Sequence, residues 1–199
     1  MIEVEKKFQP TKGQLESLLK DAEFLGEQSN VDTYYDTPSF SFLKKKMRLR
    51  HRNKDFELKV DAKGMGDKME RSEEITEEKA ILKRLGFDEN ANLSDLVEKE
   101  LKVLVRIETL RKKYKKDDFT IDVDETDIGY NVCEIELLVQ STDEVEKADE
   151  RILNLARKYN FEIKKLPLKH AEYLRIRRPE VYKEIFENRE SSGELKGVK

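Results

Sequence analysis

Apolar and polar residues alternate in eight short segments of this chain, the period-2 spacing of strands whose successive side chains point to opposite faces. The segments are Met1–Phe8 (MIEVEKKF), Asn30–Asp36 (NVDTYYD), Lys46–Arg52 (KMRLRHR), Asp55–Asp61 (DFELKVD), Met69–Ile75, Val105–Tyr114, Asp118–Asp124 and Asn131–Val139. Thr37-Pro38 stops the second. Asn53-Lys54 predicts a tight hairpin turn between the third and fourth. Lys63-Gly64-Met65-Gly66 predicts a flexible loop and is too short a glycine pattern for a phosphate loop. Helical spacing covers Lys12–Ala22, Glu77–Leu85, Leu93–Lys102, Asp143–Tyr159, Leu168–Arg177 and Pro179–Asn188, with Pro179 starting the last. In Asp143–Tyr159, Val145, Ala148, Ile152, Leu153, Leu155 and Ala156 share a face, and Ser141 or Thr142 can cap its start. Strands joined by short turns, with helices beside them, predict an α+β fold built on an antiparallel sheet.

Sorting the strands by face gives segregated charge. Glu3, Glu5 and Lys7 oppose Ile2, Val4 and Phe8; Lys46, Arg48, Arg50 and Arg52 oppose Met47 and Leu49. Glu57, Lys59 and Asp61 oppose Phe56, Leu58 and Val60; Asp122 and Asp124 oppose Ile121 and Val123; Glu134 and Glu136 oppose Ile135 and Leu137. Alternation alone leaves open whether the charged face looks at bulk water or into a lumen. Same-face acidic pairs repel, however, and such clusters are costly without a counter-ion. Converging carboxylates suit Mg²⁺, with Mn²⁺ as the alternative, and converging arginines suit phosphate oxygens. A sheet with its polar face inward and its apolar face under helices is an eight-stranded antiparallel β-barrel with a hydrophilic lumen, a tunnel.

Composition narrows the choices. The chain has 199 residues, 42% of them charged, with 40 basic against 43 acidic and a net charge of −3. That balance argues against a general nucleic-acid binder. No apolar run approaches a membrane span, and no signal-peptide core is present. Cys133 is the single cysteine, which excludes an internal disulfide framework, makes the cytoplasm the default compartment and fits a packed thiol. Only His51 and His170 are present, so a multi-histidine metal site is excluded; both read as surface or tunnel-rim residues. Lys112, Lys113, Lys115 and Lys116 read as an exposed basic run. One domain over residues 1–190, a flexible tail over 191–199 and a monomer are expected.

At the charged strands the sequence resembles the CYTH, or triphosphate tunnel, enzymes. Ile2–Phe8 (IEVEKKF) carries the ExExK signature, followed in order by Asp32–Pro38 (DTYYDTP), Leu49–Lys59 (LRHRNKDFELK), Asp122–Glu136 (DVDETDIGYNVCEIE) and Lys169–Tyr182 (KHAEYLRIRRPEVY). The likeness is greatest to the thiamine triphosphatase branch. It implies a metal-dependent hydrolase that removes the terminal phosphate of a small triphosphate. By position, Glu3, Glu5, Asp122, Glu134 and Glu136 would hold metal, with Asp124 a further candidate. Lys7, Arg50, Arg52, Lys59, Arg111 and Lys169 would hold phosphates. Tyr34 and Lys59 would lie near the attacked phosphorus, and Glu74 matches a further acidic position. The branch places a tryptophan two residues before the first tunnel arginine, where this chain has Arg48 and no tryptophan anywhere. That departure favours inorganic tripolyphosphate over thiamine triphosphate. The competing expectations are a class IV adenylyl cyclase, which shares the tunnel, and a non-catalytic polyphosphate or nucleotide binding module.

Overall fold

The charged faces are organised by antiparallel ladders whose registers follow from short turns. The computed structural model describes residues 2–61 and 72–187. Its strands are β1 (Ile2–Phe8), β2 (Glu23–Asp36), β3 (Met47–Arg52), β4 (Asp55–Asp61), β5 (Ser72–Ile75), β6 (Lys102–Lys116), β7 (Phe119–Thr126) and β8 (Val132–Val139). Its helices are α1 (Lys12–Leu19), α2 (Ser41–Lys44), α3 (Glu78–Leu85), α4 (Leu93–Glu100), α5 (Val145–Lys158), α6 (Lys169–Arg177) and α7 (Pro179–Tyr182). The predicted Lys63–Gly66 loop, residues 69–71 of the fifth predicted strand, Asn188 and the 191–199 tail lie outside the described residues. The sheet has eight strands in the order β1-β8-β7-β6-β2-β3-β4-β5. The β1/β8, β7/β8, β6/β7, β2/β3, β3/β4 and β4/β5 ladders are antiparallel. The eight-stranded antiparallel sheet with accompanying helices is thus as the alternation predicts.

Three local features differ from expectation. β2 begins at Glu23 rather than Asn30; its first residues are mostly exposed and carry no apolar alternation to reveal them. Lys46 stands outside β3, in left-handed backbone with φ 60°, so it does not join the basic face. α2 was not expected at all. Its cue is Asp36, whose carboxylate accepts the backbone N–H groups of Thr37 (2.7 Å), Phe42 (2.9 Å) and Leu43 (2.9 Å).

The chain divides into two compact units, residues 1–30 with 108–167 and residues 31–107 with 168–199. In the first, α5 packs on β1 and β8, burying Val145, Ala148, Ile152, Leu155 and Ala156. A 3₁₀ turn over Thr142–Glu144 leads into it, and Ser141 and Glu144 form a capping box. Phe8 and Phe161 meet edge to face at 5.6 Å. In the second unit, Met47, Leu49, Leu58 and Val60 from β3 and β4 form one core with Ile81 and Leu82 of α3 and Leu93, Leu96 and Val97 of α4. A second cluster joins Leu104, Val105 and Ile107 of β6 to Leu43, Leu174, Val181 and Ile185. The apolar strand faces predicted to lie under helices do so in both units. No helix among the described residues is long and apolar enough to cross a membrane.

Asp36 is 1% exposed, and burial raises its carboxyl above the usual range although its three backbone donors and Thr37 pull it down. Asp36→Ala leaves those buried donors without an acceptor and is expected to cost about 3 kcal/mol. Urea denaturation measures this; a loss of stability below about 1 kcal/mol is the outcome that contradicts it.

Candidate functional site

In the first unit the β1/β8 ladder sets Lys7 opposite Glu134 and Glu5 opposite Glu136. The β7/β8 ladder sets Glu134 opposite Asp122, and the β6/β7 ladder sets Asp122 opposite Lys113 and Asp124 opposite Arg111. Residues facing one another across an antiparallel pair share a face. Asp122 and Asp124 are 0% exposed and Glu134 is 4% exposed. The centre of this charged face is therefore buried, while Glu3 at its margin is exposed and Glu5 and Glu136 are half-buried.

Arg111 holds it together. Its Nε and Nη2 donate to the two oxygens of Asp124 at 2.7 Å each, its Nη1 to Asp122 Oδ2 at 2.6 Å, and its Nη2 also to Glu134 Oε2 at 2.6 Å. Burial alone would ease the proton off this guanidinium; the bond to Asp124 and the charges of Glu134, Asp124 and Asp122 outweigh that and hold it on. Lys7 Nζ lies 2.5 Å from Glu5 Oε1 and 3.8 Å from Glu134 Oε1. Lys113 Nζ is 3.4 Å from Asp122 Oδ1, so Lys113 belongs to this face rather than to an exposed basic run. Lys112 instead pairs with Glu125 at 2.9 Å.

Negative charge still accumulates here. Burial, then Asp122 and Glu3, push the Glu136 carboxyl up to about 8, with Lys113 offsetting only part. Burial likewise raises Asp122 despite Arg111 and Lys113. Asp122 Oδ1 is buried and accepts no hydrogen bond of normal geometry. The carboxylates Asp122, Glu134 and Glu136 each offer an oxygen within 4.8 Å of the others, and Glu3, Glu5 and Glu136 do the same. All-oxygen donors of this kind fit Mg²⁺ or Mn²⁺, and the orphaned Oδ1 is the atom a cation would satisfy.

The second unit carries the basic group. Arg50 lies between Tyr34 on β2 and Glu57 on β4, while Arg52 lies opposite Asp32 and Arg48 opposite Lys59. Arg52 donates Nε and Nη2 to the two oxygens of Asp32 at 2.7 and 2.8 Å. Arg50 donates Nη2 to Glu57 and approaches Asp32 at 3.6 Å, and its buried Nε has no hydrogen-bond partner. Arg48 pairs with Asp61 at 2.5 Å and Lys59 with Glu74 at 2.9 Å. Burial opposes ionisation of Asp32, but the bond to Arg52 and the charges of Arg50, Arg52 and Lys169 hold its carboxyl below the usual range. Arg50 and Arg48 are 6% and 9% exposed, so this charged face is also buried.

His170, expected at the surface or rim, is instead buried beside Tyr34, with ring centroids 5.4 Å apart. Burial, with Arg48 and Arg50 adding to it, pushes its imidazole down to about 3, so it is neutral at ordinary pH. Cys133 is buried, as expected, and burial pushes its thiol up.

The expected residues on β1, β7 and β8 thus fall in one acidic group with Arg111, buried at Asp122, Asp124 and Glu134, half-buried at Glu5, Lys7 and Glu136, and exposed at Glu3. Tyr34, Arg48, Arg50, Arg52, Lys59 and Glu74 fall on adjoining strands of the other unit, and Lys169 starts α6 close enough to act on Asp32. Missed were Asp32, Glu57 and Asp61 as carboxylate partners, and Lys113. The Asn53-Lys54 turn already implied Arg50 opposite Glu57.

The domain model described as "CYTH domain" matches residues 1–166. The thiamine-triphosphatase of Homo sapiens is 30% identical over 207 residues, covering 94% of this chain and 90% of that protein. Among solved structures, a conserved hypothetical protein from Pyrococcus furiosus superposes with a TM-score of 0.59 at 22% identity, covering 86% of this chain and 99% of the other. A candidate adenylyl cyclase from Hippeastrum, described as having a dominant triphosphatase activity, gives 0.58 at 16% identity, covering 86% and 93%.

Glu136 keeps its proton to about pH 8 in the metal-free folded chain but ionises near about 4.3 when unfolded. The folded state binds more protons between those values, so stability is full below the lower one and is lost as pH rises through the upper. In EDTA the urea midpoint is expected to fall between about pH 5 and about pH 8, and Glu136→Gln to flatten the fall. An unchanged slope in that variant refutes the assignment to Glu136.

Proposed function

The chain belongs to the CYTH domain family, and from that premise we propose that it is a divalent-metal-dependent triphosphatase acting on a small triphosphate. The observation that carries this reading is the acidic face: Asp122 Oδ1 lacks a hydrogen bond, and Glu136 is driven to keep its proton by burial first and by neighbouring carboxylates second. Such a group is short of positive charge, and a hard cation supplies it. The human relative named thiamine-triphosphatase supports the same activity class.

Glu3, Glu5, Asp122, Glu134 and Glu136 would hold the metal, with Asp124 kept in place by Arg111. Bound there, Mg²⁺ would neutralise phosphate oxygens and raise the electrophilicity of the phosphorus. Arg50 and Arg52 would bind phosphate oxygens with the donors that Asp32 and Glu57 leave over; a guanidinium has five. Lys7 in the first unit, and Lys59 and Lys169 in the second, would likewise offer ammonium groups to phosphate oxygens. Phosphoryl transfer asks chiefly for positioning and charge neutralisation, and Tyr34, opposite Arg50 on β2, would hydrogen-bond near the transferring group. Residues 1–190 would act as one CYTH-like domain.

Arg48 in place of an aromatic leaves no ring at that position to stack on an organic base, which favours inorganic tripolyphosphate over thiamine triphosphate. Purified protein is expected to release phosphate from tripolyphosphate with Mg²⁺ or Mn²⁺, faster than from thiamine triphosphate, ATP or pyrophosphate. Release from none of the four would leave a binding module, and cyclic AMP from ATP a cyclase. Glu134→Gln is expected to lower kcat at least about a hundredfold with an unchanged circular dichroism spectrum; full activity in that variant with Mg²⁺ would falsify the metal assignment.

A further inference from the structure

Three cations serve the acidic face, and they do not take the same oxygens. Arg111 engages Asp122 Oδ2 and Glu134 Oε2, at 2.6 Å each. Lys7 is drawn to Glu5, and lies farther, at 3.8 Å, from Glu134 Oε1. Lys113 faces Asp122 Oδ1, the oxygen without a hydrogen bond. The two basic residues nearest Asp122 also differ in freedom. The Arg111 side chain is 18% exposed and bound at four points, whereas the Lys113 side chain is 44% exposed and held by one loose ion pair.

We infer that Lys113 is a displaceable counter-ion that competes with the divalent cation for Asp122 Oδ1 and so sets how tightly the metal binds. This rests on the metal-binding reading above. Asp122 is fully buried and Arg111 answers only its Oδ2, so an ammonium stands over Oδ1 until a better cation arrives. At 3.4 Å the pair is long for a charge-assisted hydrogen bond, which is ordinarily about 2.7–2.9 Å. The lysine stem is flexible and half in solvent, so its withdrawal needs no change in β6. Arg111 cannot play this part, because leaving would strip Asp124 and Glu134 of their partner as well. It keeps the second oxygens of the metal-ligating carboxylates oriented, as hydrogen-bonded neighbours of metal ligands do. The same face therefore holds one fixed cation that shapes the site and one mobile cation that tunes it.

The test is Mg²⁺ titration of the metal-free protein, without any substrate, followed by calorimetry and by the rise in Tm. Lys113→Met removes the competing charge and is expected to lower the half-saturating Mg²⁺ concentration by roughly five- to tenfold. Lys113→Arg, which keeps the charge, is expected to stay within about twofold of the parent. The Lys113 side chain is half in solvent, so folding of both variants is checked simply by the metal-free Tm. Affinity that is unchanged or weaker in Lys113→Met overturns the inference while leaving the metal site in place. Absence of any Mg²⁺ response in the parent, with Glu134→Gln identical to it, overturns the metal reading itself and the inference with it.

Discussion

Buried carboxylates on neighbouring strands repel one another, and the acidic face exists because Arg111 ties three of them together. Asp122 and Asp124 are wholly inaccessible, and an uncompensated charge at such a position would cost several kcal/mol. The planar guanidinium reaches both oxygens of Asp124 while spanning to Asp122 and Glu134. A lysine, with one ammonium nitrogen, could not hold that geometry. The arrangement also pins the register of β6, β7 and β8. A slip of one residue would turn Asp122 and Asp124 into the apolar layer and Ile121 out of it.

The second unit solves the same problem with the signs exchanged. Asp32 is the buried acceptor around which Arg50 and Arg52 are arranged, and Glu57 holds the far side of Arg50. Helices α3 and α4 close the opposite, apolar face of β3 and β4. Strands buried on both faces are unusual for an antiparallel sheet, which ordinarily leaves one face to water. Here the buried members of the charged faces are partnered chiefly by one another, and incompletely, as Arg50 Nε and Asp122 Oδ1 show.

Much of this was legible in the chain, and the reason it was legible is also why it stopped. Alternation identified the β1, β3, β4, β7 and β8 faces, because each strand has a covered apolar side. It could not reveal the start of β2, which is exposed, or α2, whose cue is a single buried carboxylate. Turn chemistry decided the rest. Asn53-Lys54 was readable as a hairpin, and the Arg50–Glu57 and Arg48–Lys59 pairs follow from it by counting outward. The equivalent turn at Asp117-Asp118 has Asp117 at φ 54° with no glycine to announce it. Without a signal for that turn, alternation carries the strand back to Asp118, gives Lys113 no partner and leaves it among surface lysines, whereas the ladder sets it opposite Asp122. His170 escaped for a different reason: helical periodicity gives its angle on α6 but not the ring of Tyr34 that covers it.

The pairing also changes what Arg48 means. Read from sequence, it is an added positive charge beside Arg50 and Arg52 that would draw a bare anion. In the fold it is matched by Asp61, as Lys59 is by Glu74 and Arg50 by Glu57. Each arginine or lysine on this face thus brings directed donors more than net charge. A polyphosphate carries several negative charges, and a face whose cations are already matched neutralises few of them. The acidic face of the first unit has the opposite deficit, which a divalent cation would relieve. On the function proposed above, the substrate would be the metal complex of a triphosphate rather than the free anion, and affinity for the anion is expected to be contingent on the metal that comes with it.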